Sequence, residues 1–236
     1  AFDIVINNAG YGIFAPFASA DFALWRTQIE AMLVTTARLA HAAFRSMQAC
    51  NRGCLVNVSS LAVNFPLPYM SGYNIAKAGL SALSASLAFE ARGTRVCVID
   101  FRPGDYRTAF NHAMKPTPGN GKTGDAETVS ERNRSGETGS REIGFLENVI
   151  KETVSAETEN AHSARVASAW KTIDAQFNTA PLPVRAARDL RRALARGRPG
   201  VVRSGSFFQA RLAPLGARLL PARLLRAFEA RYFGAP

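Results

Sequence analysis

Residues 54–77 read CLVNVSSLAVNFPLPYMSGYNIAK. Cys54–Val58 is a short apolar run of the kind a buried strand uses, and Ser59 and Ser60 stand at its exit. Asn64 to Pro68 reads as loop, and an Ala/Leu/Ser-rich helix is predicted over Tyr73 to Ala91. The alternation extends in both directions. Upstream, Phe2–Ile6 is a second apolar run that ends in Asn7-Asn8-Ala9-Gly10. Asp21 is placed to cap a helix starting near Phe22, helical apolar spacing continues from Leu24 to Gln48, and Asn51-Arg52-Gly53 stops it. Downstream, Gly93 ends the second helix, and Val96–Phe101 forms a third strand followed at once by Pro103-Gly104. Strand, helix, strand, helix, strand with Gly or Ser at the exits implies parallel βαβ units. Open sheets of this kind bind ligands outside the carboxyl ends of their strands, where Asn8, Gly10, Ser60, Pro103 and Gly104 all fall.

Tyr73 and Lys77 are four residues apart, about one helical turn, so they project from one face. An ammonium beside a phenol favours the phenolate and is expected to lower the tyrosine pKa. A phenol so tuned exchanges a proton with an alcohol or carbonyl near neutral pH. Ser60 is positioned to hold the reacting oxygen. Each residue taken singly has a plainer reading: Tyr73 as core, Lys77 as a solvated cation, the serines as a helix cap, Gly10 and Gly104 as turn glycines. The combination points to an alcohol/carbonyl oxidoreductase.

The chain of 236 residues, 47% hydrophobic, is long enough for one sizeable core. It contains no apolar run of membrane-spanning length. The three cysteines, Cys50, Cys54 and Cys97, suit a reducing compartment, and the predicted location is cytoplasmic. No metal site is expected at Cys50 and Cys54, which no histidine pair accompanies. The net charge of +11 is unevenly placed: from Arg165 onward there are 14 Lys/Arg against 3 Asp/Glu, while the preceding part is neutral.

These motifs resemble the short-chain dehydrogenase/reductase family from Ala1 to about Phe110. The family's Asn-Asn-Ala-Gly segment corresponds to residues 7–10, and its Tyr-x-x-x-Lys to Tyr73 and Lys77. Its serine, 13 residues before the tyrosine, is Ser60 rather than Ser59, and its Pro-Gly-x-x-x-Thr is Pro103 to Thr108. The resemblance implies a Rossmann-type doubly wound parallel sheet and a nicotinamide cofactor, NAD or NADP. It implies Tyr73 as general acid/base, Lys77 as the residue that lowers its pKa and binds the nicotinamide ribose, and Ser60 as the holder of the substrate oxygen. Asn8, Ala9 and Gly10 would lie along the cofactor, with Asn8 also tying the sheet together. Pro103, Gly104 and Thr108 would border the nicotinamide. The implied partner is a small or medium organic alcohol or carbonyl, with a hydrophobic one fitting the Leu- and Phe-rich end, and a homo-oligomer is the usual assembly.

Two departures stand out. The family's glycine-rich phosphate turn has no counterpart, so the first strands of the fold are expected to precede Ala1, and the 236 residues alone are expected to bind cofactor poorly. At the family's fourth catalytic position, an asparagine whose side chain supports a helix kink, the chain has Met32. A weakened proton relay is the expected consequence. These departures keep a non-catalytic binding or scaffold protein as the alternative.

The chain divides into a core over 1–115, a polar insertion or lid over 116–163, a remaining helix and edge strand over 164–206, and a basic tail over 207–236. Phe145, Leu146, Val149 and Ile150 would form a short amphipathic piece of the lid. Pro183 to Ala195 reads as a helix and Val201-Val202 as an edge strand. The tail repeats Leu, Ala and Arg with Pro214 and Pro221 as interruptions, and reads as two short helices broken by Pro221, each with an apolar face and an arginine face. Packing over the substrate entrance or a sister subunit is one reading, and peripheral attachment to anionic membrane is another. Nucleic acid is not an expected partner, since no recognition motif accompanies the charge.

Overall fold

A computed structural model describes residues 2–108, 110, 114 and 156–233. Most of the polar insertion, including Phe145, Leu146, Val149 and Ile150, lies outside the described residues. Four parallel strands stand in sequence order: β1 (Ile4–Asn7), β2 (Gly53–Val58), β3 (Val96–Pro103) and β4 (Gly200–Ser204). The register sets Ile4 beside Cys54, Cys54 beside Cys97 and Ile99 beside Gly200. β1 and β4 are the sheet edges among the described residues, and Ile4 and Ile6 of β1 are exposed.

Alternation along the strands explains why the sheet is covered twice. Leu55, Val96 and Val98 face one side, where Ala40, Phe44 and Met47 of α2 (Thr35–Cys50) and Leu87 of α3 (Ser71–Glu90) bury them. Val56, Val58, Cys97, Ile99 and Phe101 face the other side and meet Ala193 and Leu190 of α5 (Val184–Arg196). The period of two in the strands, apolar on both faces, is the signature of a buried parallel sheet. The result is the doubly wound α/β arrangement.

The local signals act as their chemistry dictates. Asp21 accepts a hydrogen bond from the Ala23 amide at 2.8 Å and opens α1 (Phe22–Ile29). α1 runs through a π turn, Glu30–Val34, into α2. Asn51, left-handed at φ 48°, and Gly53 at φ 130° turn the chain from α2 into β2. α3 begins at Ser71, two residues before the expected start, which puts Tyr73 in its first turn.

Residues 156–163, the end of the stretch read as insertion or lid, lie in α4 (Ala156–Thr179). Their mixed polar composition carries little apolar period to announce a helix. Pro214 does not interrupt the helical run: it is the second residue of α6 (Ala213–Leu219), which continues directly from a π turn over Phe208–Leu212, and Pro221 stands between α6 and α7 (Ala222–Tyr232).

Candidate active site

A cleft of about 810 Å³ opens at the carboxyl ends of β1, β2 and β3, and Ser60, Tyr73 and Lys77 all line it. Each arrives by a different route. Ser60 follows β2 directly and caps the short 3₁₀ turn Leu61–Val63, accepting from the Ala62 amide at 3.0 Å. Its hydroxyl therefore serves as a cap while its proton remains available to the cleft. Tyr73 and Lys77 come from one face of α3 and are both buried. Ser59 also borders the cleft, but its hydroxyl is engaged with the Asp100 carboxylate.

The position of α3 is fixed by buried polar groups that the motifs do not announce. Ser81, one turn beyond Lys77, donates to Asp100 at 2.7 Å. Arg102 pairs with the same carboxylate at 2.8 Å and donates to the Ser81 hydroxyl at 2.7 Å. A second chain runs from Asn7 to Asn57 at 2.8 Å, from Asn57 to Ser84 at 3.0 Å, and from Ser84 to the Leu80 carbonyl. The side chain of β1 that ties the sheet together is thus Asn7, where Asn8 was expected, and Asn57 carries the link on to α3. Strand alternation turns Asn7 into the interior, and Asn8 beyond the strand is exposed at the cleft.

Asn8 and Gly10 line the cleft, whereas exposed Ala9 between them is not part of its wall. A Cβ at Gly10 would lie 3.3 Å from both Lys77 Nζ and Met32 Cε, so the bare backbone passes close to the buried cation. Pro103, Gly104 and Thr108 line the opposite rim. Small residues at three strand exits around a buried ammonium fit the nicotinamide and ribose end of a dinucleotide. Residues for its pyrophosphate are not among those described.

The electrostatics reverse one expectation. Burial pushes the Tyr73 phenol up to about 12; the Ser60 hydroxyl pulls it down and the Asp105 carboxylate pushes it up further. Burial also depresses the Lys77 ammonium to about 8. The lysine does not bring the phenol down in this arrangement. Its Nζ donates to the Val58 carbonyl at 2.8 Å and sits 5.8 Å from the centre of the Tyr73 ring. Loss of water around the phenolate outweighs a cation held at that distance. At neutral pH the phenol keeps its proton and is ready to give it.

Met32 lies within the π turn, buried. The kink at this position therefore forms without an asparagine side chain. A single π turn inside a helix is itself a recurrent feature of functional sites.

The remaining wall comes from the C-terminal tail. Phe208 and Gln209 lie in a π turn, Phe208–Leu212, and Phe228 and Tyr232 lie on α7. Phe208, Phe228 and Tyr232 cluster with ring centroids 5.9–6.4 Å apart, Tyr232 stacked on both phenylalanines and the two phenylalanines tilted at 43°. Gln209 donates to Asp105 at 2.5 Å, and Gln176 of α4 donates to the Tyr232 carbonyl at 3.2 Å. Burial raises the Asp105 carboxyl, and the Gln209 bond opposes that rise. Phe110 packs against the Tyr73 ring at 5.8 Å. Among the described residues, Lys77 and Asp105 are the charged side chains of the lining, and most of it is apolar.

Comparison with known proteins gives the setting. Residues 1–119 match the short chain dehydrogenase family. The chain is 31% identical over 117 residues to dehydrogenase/reductase SDR family member 4 of Bos taurus, covering 49% of this chain and 42% of that protein. It is 38% identical over 97 residues to cis-4-hydroxycyclohexanecarboxylate dehydrogenase of Sinomonas cyclohexanicum, covering 40% and 39%. Among solved structures, NAD+-bound xylitol dehydrogenase is 26% identical with a TM-score of 0.44, over 47% of this chain and 44% of that one. The chain spans about two-fifths of the length of the curated relatives it matches.

Proposed function

The chain belongs to the short chain dehydrogenase family, and on that premise we propose that it interconverts a hydrophobic alcohol and the matching ketone or aldehyde, using NAD or NADP. The observation that carries the reading is the meeting of Ser60, Tyr73 and Lys77 in one largely apolar cleft at the strand exits. The dinucleotide, when bound, supplies or accepts the hydride. Asn8, Gly10, Lys77, Pro103, Gly104 and Thr108 are the residues that would hold it. Ser60 donates its hydroxyl proton to the substrate oxygen and fixes its direction. In reduction, Tyr73 gives its phenolic proton to that oxygen as negative charge develops there. In oxidation, the phenolate takes the alcohol proton, while Lys77 is placed to hold the dinucleotide. Burial keeps the Tyr73 phenol protonated at neutral pH, the form that carbonyl reduction requires. A fold kept only for binding has no need of a buried lysine beside a buried phenol.

The test is a screen of alcohols and ketones with either dinucleotide in excess, read by nicotinamide absorbance. Alicyclic and long-chain aliphatic compounds are expected to turn over faster than small polar ones. A polyol preferred over every apolar compound would contradict the substrate class, and no substrate-dependent absorbance change with any compound would contradict the activity.

A further inference from the structure

A second cleft, of about 1070 Å³, lies between α5, β4 and the turn over 205–211, and shares no wall residue with the catalytic cleft. Arg185, Arg192, Arg196, Arg198, Arg203 and Arg211 line it, all exposed. The spacing of Arg185, Arg192 and Arg196 sets three of them along one face of α5. The single carboxylate in the wall, Asp189, is already engaged: it accepts from Ser204 at 2.7 Å and pairs with Arg192 at 3.6 Å. The site therefore presents a large excess of planar cations suited to phosphate oxygens.

Apolar surface adjoins this charge. Phe207, in the cleft wall, is 70% exposed, and the chain runs from it through Arg211 into α6. There Leu215 and Leu219, four residues apart on one face, are 54% and 72% exposed. Arginines beside unburied leucine and phenylalanine match the two layers of an anionic bilayer surface, its headgroups and its acyl boundary.

We propose that this face docks on an anionic lipid bilayer, the arginine-lined cleft taking headgroup phosphates while Phe207, Leu215 and Leu219 enter the acyl boundary. A second copy of the chain is a poorer occupant. A two-fold interface sets a patch against itself, so arginines would meet arginines. No helix among the described residues is long and apolar enough to cross a membrane, which fits attachment at the surface. The inference uses none of Ser60, Tyr73 or Lys77 and stands apart from the oxidoreductase reading.

The test is co-sedimentation of the full chain with phosphatidylglycerol/phosphatidylcholine vesicles and with phosphatidylcholine alone. Retention on the anionic vesicles only, weakened by high salt, is expected. The double variants Arg192→Glu with Arg196→Glu, and Leu215→Ser with Leu219→Ser, should each weaken it by about tenfold or more, with circular dichroism unchanged. All four positions are exposed, so folding is preserved. Failure to bind anionic vesicles overturns the proposal. So does unchanged vesicle binding by the leucine variant, which would leave headgroup charge alone as the attraction and take the apolar insertion out of it. A dimer at sedimentation equilibrium that the leucine variant dissociates would overturn it in favour of a second copy.

Discussion

The strand exits of residues 2–110 and the C-terminal segment of residues 184–233 build opposite walls of one cleft by different means. The exits place Ser60, Tyr73, Lys77 and Gly10 through local geometry: a strand end, a cap, a helix face, a tight turn. The C-terminal segment supplies Phe208, Gln209, Phe228 and Tyr232 through packing across the molecule, with Gln209 and Asp105 joined over 104 residues of sequence. The first wall holds the groups proposed to handle a proton. The second lines the space around them. In the proposed reading the chemistry rests on short-range signals and the choice of substrate on long-range ones.

That contrast is open to attack by substitution, and the largest effect belongs to the first wall. Breaking the buried Asp100–Arg102 pair with Arg102→Met leaves a carboxylate without its cation and should cost about 3–5 kcal/mol, read by chemical denaturation. A loss within a few tenths of a kcal/mol would show that the network does not anchor α3. Gly72→Ala comes next. Its Cβ would lie 2.4 Å from Gln28 Oε1 and 3.0 Å from Trp25, so a loss of about 1–3 kcal/mol is expected, seen as a lower Tm.

On the second wall, Phe228→Ala should raise KM for a bulky apolar substrate by about tenfold and leave kcat nearly unchanged, because it removes binding surface and no proton-handling group. A fall in kcat with constant KM would place Phe228 in the chemistry and erase the contrast.

A smaller effect appears in the pH dependence. The folded Lys77 titrates near 8 and the unfolded one near its ordinary 10.5, so between these values the unfolded chain binds more protons. Stability should therefore rise with pH from about 8 and level off as Tyr73, raised by burial, begins to oppose it above 10. Lys77→Met should remove the rise, as followed by urea denaturation at stepped pH.

How far the sequence reached follows from the same contrast. Strand runs, the Asp21 cap, the Asn51–Gly53 stop and the Tyr73/Lys77 spacing are short-range signals, and each corresponds to an observed element. Asn7 rather than Asn8 as the sheet tie depended on which side of β1 faces inward, which a two-residue repeat of asparagine leaves open. The lysine's failure to lower the phenol depended on burial and on the competing Val58 carbonyl, both set by packing. The polar wall made by Asp105 and Gln209 had no local signature at all. The π turn was hidden for another reason: Met32 carries no side-chain group that would report a kink.

The central claim, that Tyr73 moves the proton in a cleft shared with Ser60 and Lys77, is tested most directly by the turnover of Tyr73→Phe. The substitution removes one oxygen and leaves the ring against Phe110. The account predicts a loss of kcat of about 10²–10⁴-fold with the fold intact by circular dichroism. Turnover within about threefold of the unsubstituted protein would contradict it.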